Sequence, residues 1–182
     1  MTTARPEHLG EYLTRAAAGR PDHPAFVVGA THLTWAEVDH QAHACAAGLR
    51  RAGVREGDRV GLFLGNRPEL VIAYYGALRA GAAAVPINPG LTPAEVSAIT
   101  DDVDLSLVIV DRTTHDVAEH AAPNIPRYLA GVRSGPDSFQ ALTVEGPDGV
   151  GELSGGEGLA LVIFTSGTSG RPKGAMLTHR AL

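Results

Sequence analysis

The chain has 182 residues, enough for one domain with a sizeable core, and its 44% hydrophobic and 19% charged residues match a globular protein. Its net charge of −5 offers no electrostatic attraction to nucleic acid or to an anionic membrane. Cys45 is the single cysteine, which excludes a disulfide framework and a cysteine cluster for zinc. The N-terminal stretch mixes charges without an apolar centre and does not read as a secretory signal. The apolar region Leu70 to Ile87 is interrupted by Arg79, Pro86 and glycines, so it does not make a membrane span. A reducing cytoplasm is the expected location.

In chain order, Pro6 to Ala18 reads as a helix with Leu9, Leu13 and Ala16-Ala17 on one face, stopped by Gly19-Arg20-Pro21. Ala25–Val28 and His32-Leu33 predict a short hairpin around Gly29. Thr34-Trp35-Ala36-Glu37 is a capping box, which starts a helix carrying Val38, Ala42, Cys45, Ala46, Leu49 and Ala52 at helical spacing and ending at Gly53. Cys45 lies on that stripe and is expected in the core. Asp58–Leu64 reads as a strand, and Pro68 opens a helix that is apolar nearly all round and ends at Gly81. Ala82–Ile87 is a further strand, Thr92-Pro93-Ala94-Glu95 another capping box, and Leu105–Val110 another strand. Strands alternating with capped helices predict an α/β fold with a parallel sheet. The signal weakens from Asp111 to Gly158: Arg127–Val132 reads as one more strand, and 146–158 as a turn-rich, acidic linker. The histidines are scattered without metal-ligand spacing and read as solvated.

The strongest signal is Leu159 to Gly174, LALVIFTSGTSGRPKG. A buried strand, Leu159–Phe164, runs into a loop of hydroxyls and glycines, and Ala175–Thr178 reads as a return strand. Glycines allow positive φ and close approach to a ligand, and successive backbone N–H groups form anion-binding concavities. Lys173 adds a point charge suited to phosphate. The loop is not a Walker A sequence, because Pro172 precedes Lys173 and Gly174 follows it; that motif needs Gly-Lys-[Ser/Thr] entering a helix. Pro172 biases Arg171 to extended geometry, so the predicted unit is strand–loop–strand holding a polyphosphate.

TSGTSGRPKG resembles the phosphate-loop signature of the AMP-forming acyl-CoA synthetases and adenylating enzymes, usually TSGTTGxPKG, with Ser169 keeping the hydroxyl of a threonine. Two further segments resemble that superfamily in its usual order: Leu33–Val38 (LTWAEV) and Leu78–Pro89 (LRAGAAAVPINP). The stretch VPINPGLTPAEV, with Asn88, Leu91 and Thr92, is closer to ligases of fatty or aryl acids than to peptide-synthetase adenylation domains. The resemblance implies that residues 1–182 form the front part of the large N-terminal adenylation domain, an incomplete α/β unit without the C-terminal domain. It implies ATP, Mg2+ and CoA as reactants and cofactor, and a carboxylic acid as substrate. It places Thr165, Ser166, Gly167, Thr168, Ser169, Gly170 and Lys173 at the β- and γ-phosphates. The family's magnesium ligand and catalytic lysine lie downstream of the matched stretch, so no residue here is assigned a catalytic or metal-binding role. His179 and Arg180 read as an exposed helix start.

An incomplete ligase is expected to be inactive alone, and to self-associate or to pair with a chain supplying the rest of the domain. A stand-alone nucleotide-binding or interaction module is the second reading. A phosphotransferase is disfavoured by Pro172 and the missing Gly-Lys-[Ser/Thr].

Overall fold

The computed structural model describes residues 8–144, 156–165 and 173–182. A first helix, α1 (Leu9–Gly19), precedes a hairpin of β1 (Pro24–Val28) and β2 (Thr31–Thr34), as the sequence predicts. Helix α2 (Trp35–Arg51) starts at the expected capping box: the Thr34 hydroxyl accepts from the Glu37 N–H at 3.2 Å, and the Thr34 N–H donates to the Glu37 carboxylate at 2.8 Å. Gly53, at φ +97°, closes α2 in a Schellman arrangement, with the Val54 N–H reaching the Leu49 carbonyl at 3.0 Å. Strand β3 (Arg59–Phe63) leads to α3 (Pro68–Arg79), which ends the same way at Gly81. Strand β4 (Ala83–Pro86), α4 (Pro93–Val103) and β5 (Leu107–Val110) follow, with the second capping box intact at Thr92 and Glu95.

In the weak region the structure adds two helices to the predicted strand. These are α5 (His115–Ala121) and α6 (Phe139–Leu142), on either side of β6 (Arg127–Leu129). Seven and four residues are too few to display a helical period, so neither was visible in the sequence pattern. The chain closes with β7 (Leu159–Thr165), β8 (Lys173–Thr178) and a 3₁₀ turn, His179–Ala181. Residues 145–155, most of the expected linker, lie outside the described residues.

Six strands form one sheet in the order β6-β5-β3-β4-β7-β8, parallel except for β8, which runs antiparallel to β7. The period of two along the strands sorts the core into two layers. Val60, Leu62 and Leu64 join Cys45, Leu49, Leu78, Phe139 and Leu142 beneath α2, α3 and α6. Phe63, Val85 and Val108 join Val96, Ile99 and Ala118 beneath α4 and α5. Helix α1 packs outside the first layer, with Leu13 against Val38 and Ala42 of α2. Cys45 is fully buried there, as expected.

Candidate functional site

The site follows from strand order. Strand β3 continues into α3 over one face, and its neighbour β4 continues into α4 over the other. Two adjacent parallel strands whose connections leave to opposite faces open a crevice at their carboxyl ends, where ligands of α/β sheets bind. Strand β7 lies beside β4 and points the same way, with Ala84 paired to Leu161. The carboxyl end of β7 therefore lies on the same side of the sheet as that of β4, where the chain runs on to Asn88. In this way the β7–β8 hairpin brings Thr165 and Lys173 to the rim of that crevice.

Burial along β7 changes as the strand reaches the rim. Ala160, Leu161 and Val162 are buried, whereas Ile163 and Thr165 are exposed. Thr165 pairs across the hairpin with Lys173, and Phe164 with Gly174. Of the residues assigned to phosphate, Thr165 and Lys173 are thus brought together as the two exposed posts of the loop. Ser166, Gly167, Thr168, Ser169 and Gly170 lie outside the described residues. The return strand starts at Lys173, two residues earlier than the apolar pattern indicates, because pairing with Thr165 rather than hydrophobicity sets its start.

On the other side of the crevice, the β3–α3 loop is fixed by an ionic network that the sequence reading missed. Arg67 donates to both oxygens of Glu69, at 2.9 and 3.0 Å, and lies 3.9 Å from Asp111. Asp111 accepts from the Gly65 N–H at 2.9 Å and from the Thr113 N–H at 2.8 Å. Burial works to raise the Asp111 pKa, but the hydrogen bonds from Thr113 and Gly65 and the charge of Arg67 outweigh it and hold the carboxyl below its usual range. Arg67 in turn crowds Gly131, where an added Cβ would stand 2.6 Å from its Nη2. With its charge matched by two carboxylates, Arg67 shapes the rim instead of offering a free cation. The available signal was the position of Asp111, immediately after an apolar parallel strand.

Two histidines read as exposed, His8 and His179, are buried in the structure. His179 is 5% exposed, not an exposed helix start, because its ring packs on His8 at a centroid separation of 3.8 Å. Arg180 does face solvent and pairs with Glu157 at 2.7 Å. The described residues also include one group with metal-ligand proximity: potential ligand atoms of His115, Asp116 and Glu119 lie within 4.8 Å of one another. Their spacing arises on α5, which the sequence pattern did not reveal. His115 and Asp116 already pair with each other at 3.1 Å, and Glu119 pairs with Arg127 at 3.7 Å. No helix among the described residues is long and apolar enough to cross a membrane.

Comparison with known proteins agrees with this architecture. The chain is 36% identical over 176 residues to a feruloyl-CoA synthase of an Amycolatopsis species, covering 96% of this chain and 34% of that protein. It is 34% identical over 148 residues to an AMB antimetabolite synthetase of Pseudomonas aeruginosa, covering 81% of this chain and 11% of the relative. The structure of a fatty acyl CoA synthetase from Mycobacterium tuberculosis superposes with a TM-score of 0.81 at 29% identity, covering 94% of this chain and 34% of that one. The chain thus spans about a third or less of the length of these relatives. The family model described as AMP-binding enzyme matches residues 13–182, and the chain belongs to that family.

Proposed function

We propose that this chain is the phosphate-binding front part of an AMP-forming acid–thiol ligase acting on a fatty or aryl acid. In that reaction the substrate carboxylate attacks the α-phosphorus of ATP, the bond to the bridging oxygen breaks, and pyrophosphate leaves. The thiol of CoA then attacks the acyl-adenylate carbonyl, releasing AMP and forming the thioester. The observation that carries the reading is the β7–β8 hairpin, whose posts Thr165 and Lys173 face each other beside the carboxyl-end crevice. Backbone N–H groups and hydroxyls of Thr165, Ser166, Gly167, Thr168, Ser169 and Gly170, with the Lys173 ammonium, bind the β- and γ-phosphates. Neutralising these groups stabilises the leaving pyrophosphate and aligns the displacement. Magnesium, held by ligands outside this chain, supplies further neutralisation of the phosphates when bound.

The choice of a fatty or aryl acid rests on Asn88 and its neighbours in VPINPGLTPAEV and on the feruloyl and fatty acyl relatives. Apolar side chains left exposed on β7 and β8, at the edge of the sheet, support the placing of residues 1–182 at the front of a larger domain. Met176 of β8 is 74% exposed and Ile163 of β7 40% exposed. Apolar surface beside an open edge favours association, so the 182-residue protein self-associates or pairs with a chain carrying the rest.

The test uses the protein extended by its downstream sequence. Lys173→Ala removes a contact to a charged group worth about 1.5–3 kcal/mol, or roughly 10- to 150-fold in kcat/KM for ATP. The KM for the acid stays near wild type. Gly170→Val, which blocks positive φ and close approach, also impairs ATP use. The 182-residue protein alone releases no pyrophosphate from ATP with fatty or aryl acids. Wild-type ATP dependence in both variants would overturn the phosphate assignment.

A further inference from the structure

Helix α1 begins with an unusual N-terminal arrangement. The first N–H groups of a helix have no intrahelical acceptor, and Ser, Thr, Asp or Asn ordinarily caps them. Here two imidazoles do so. His8, the N-cap residue, accepts from the Gly10 N–H through Nδ1 at 3.0 Å. His179, which follows β8 at a sequence distance of 170 residues, accepts from the Leu9 N–H through Nδ1 at 3.3 Å. The two rings stack with centroids 3.8 Å apart and planes tilted by 33°. Both are buried, at 1% and 5% exposure.

Accepting through Nδ1 places the proton of each neutral ring on Nε2. In His8 that Nε2 is buried with no hydrogen-bond partner. A second proton on either ring has only Nδ1 to occupy, and there it opposes a backbone N–H. It would also put positive charge at the positive end of the helix dipole. The charged surroundings add to the effect. Arg79 of α3 acts on His8, while its own partner is Asp39 of α2. Arg180 beside His179 is matched by Glu157, and Glu11 in the first turn of α1 is matched by Arg15. Lys173, the only titratable residue of β7 and β8, sits at the far end of its strand.

We propose that His8 and His179 form a proton-sensitive clasp that holds α1 to the end of the strand returning from the phosphate loop, and that acidification opens it. The clasp is closed only while both rings are neutral. Burial, then the neighbouring His179 and Arg79, outweigh the opposing Leu78 backbone and bring the His8 pKa down from 6.5 to about 4, and burial lowers that of His179. Each pKa is depressed in the folded state, so the unfolded or opened chain binds protons more readily. The contribution of the clasp is complete above pH 6.5 and is lost as pH falls toward 4.

Amide hydrogen exchange of the intact chain tests this, with α1 compared to β3 and β5 as internal core references. Opening of α1 relative to the core should rise on the order of 50- to 100-fold between about pH 7 and 4.5, after correction for intrinsic exchange. In the His8→Asn, His179→Asn double variant, amide oxygens accept the same N–H groups without titrating, and the dependence should vanish. An α1-to-core ratio that stays constant with pH in the wild type, or persists unchanged in the double variant, overturns the proposal. Should the double variant not fold, NMR titration of the wild-type imidazoles decides: midpoints below 6.5 with the Nε2–H tautomer support the clasp, and midpoints at or above 6.5 overturn it.

Discussion

The ring of Phe164 covers Gly174 across the β7–β8 hairpin. A Cβ built on Gly174 would stand 3.1 Å from Phe164 Cζ and 3.3 Å from Val162 Cγ1. Gly174 is not among the described glycines with positive φ, so its lack of a side chain serves packing rather than backbone freedom. Gly174→Ala should lower stability by about 1 kcal/mol and Gly174→Val by about 1–3 kcal/mol, as expected for overpacking. Adding Phe164→Leu should recover part of the loss. Urea unfolding of these variants beside the wild type checks this, and equal stabilities would show that the ring does not rest there.

Arg79 anchors α1 and α2 to the end of α3. Its guanidinium is buried, pairs with the Asp39 carboxylate, and donates to the Asp39 carbonyl at 2.9 Å and to the Thr14 hydroxyl at 2.7 Å. Asp39→Ala leaves that buried cation without its counter-ion and should cost about 3 kcal/mol, the lower end for a broken buried pair because Asp39 retains partial exposure. Arg79→Met should cost less, about 1–2 kcal/mol, since the remaining Asp39 carboxylate can rehydrate. Denaturant midpoints in the reverse order would contradict this account.

Gly48 in the last turn of α2 is a second packing glycine. An added Cβ would lie 1.9 Å from the carbonyl oxygen of Leu142 on α6. Helix propensity alone favours Gly48→Ala by about 1 kcal/mol. The backbone clash works the other way, displacing α6 with its buried Phe139 and Leu142, and should leave a net loss of about 1–3 kcal/mol. A thermal melt decides between the signs.

Burial pushes the Cys45 thiol up to about 12, so almost no thiolate forms near neutral pH. Alkylation of the native protein at about pH 8 should be on the order of 100-fold slower, or more, than in urea. Cys45→Ala should leave ATP use by the extended protein unchanged. Rapid native labelling would show that the α2–α3 layer opens readily.

Elements whose cause is local could be read from the chain alone. Thr34 and Thr92 cap their helices with Glu37 and Glu95 three residues on, and Gly53 and Gly81 end helices by taking positive φ. The two strands on either side of TSGTSGRPKG were legible for the same reason: an apolar run acts on its immediate neighbours. Other features depend on residues far apart in sequence and appear only once the chain is folded. Strand order set β7 beside β4, and 46 residues separate Gly65 from the Asp111 carboxylate that accepts its N–H. His8 and His179 read as exposed because their sequence neighbours, Leu9 and the return strand among them, do not record what packs on their rings. Their environment is created by a contact between the first helix and the end of the last strand, which no local pattern records.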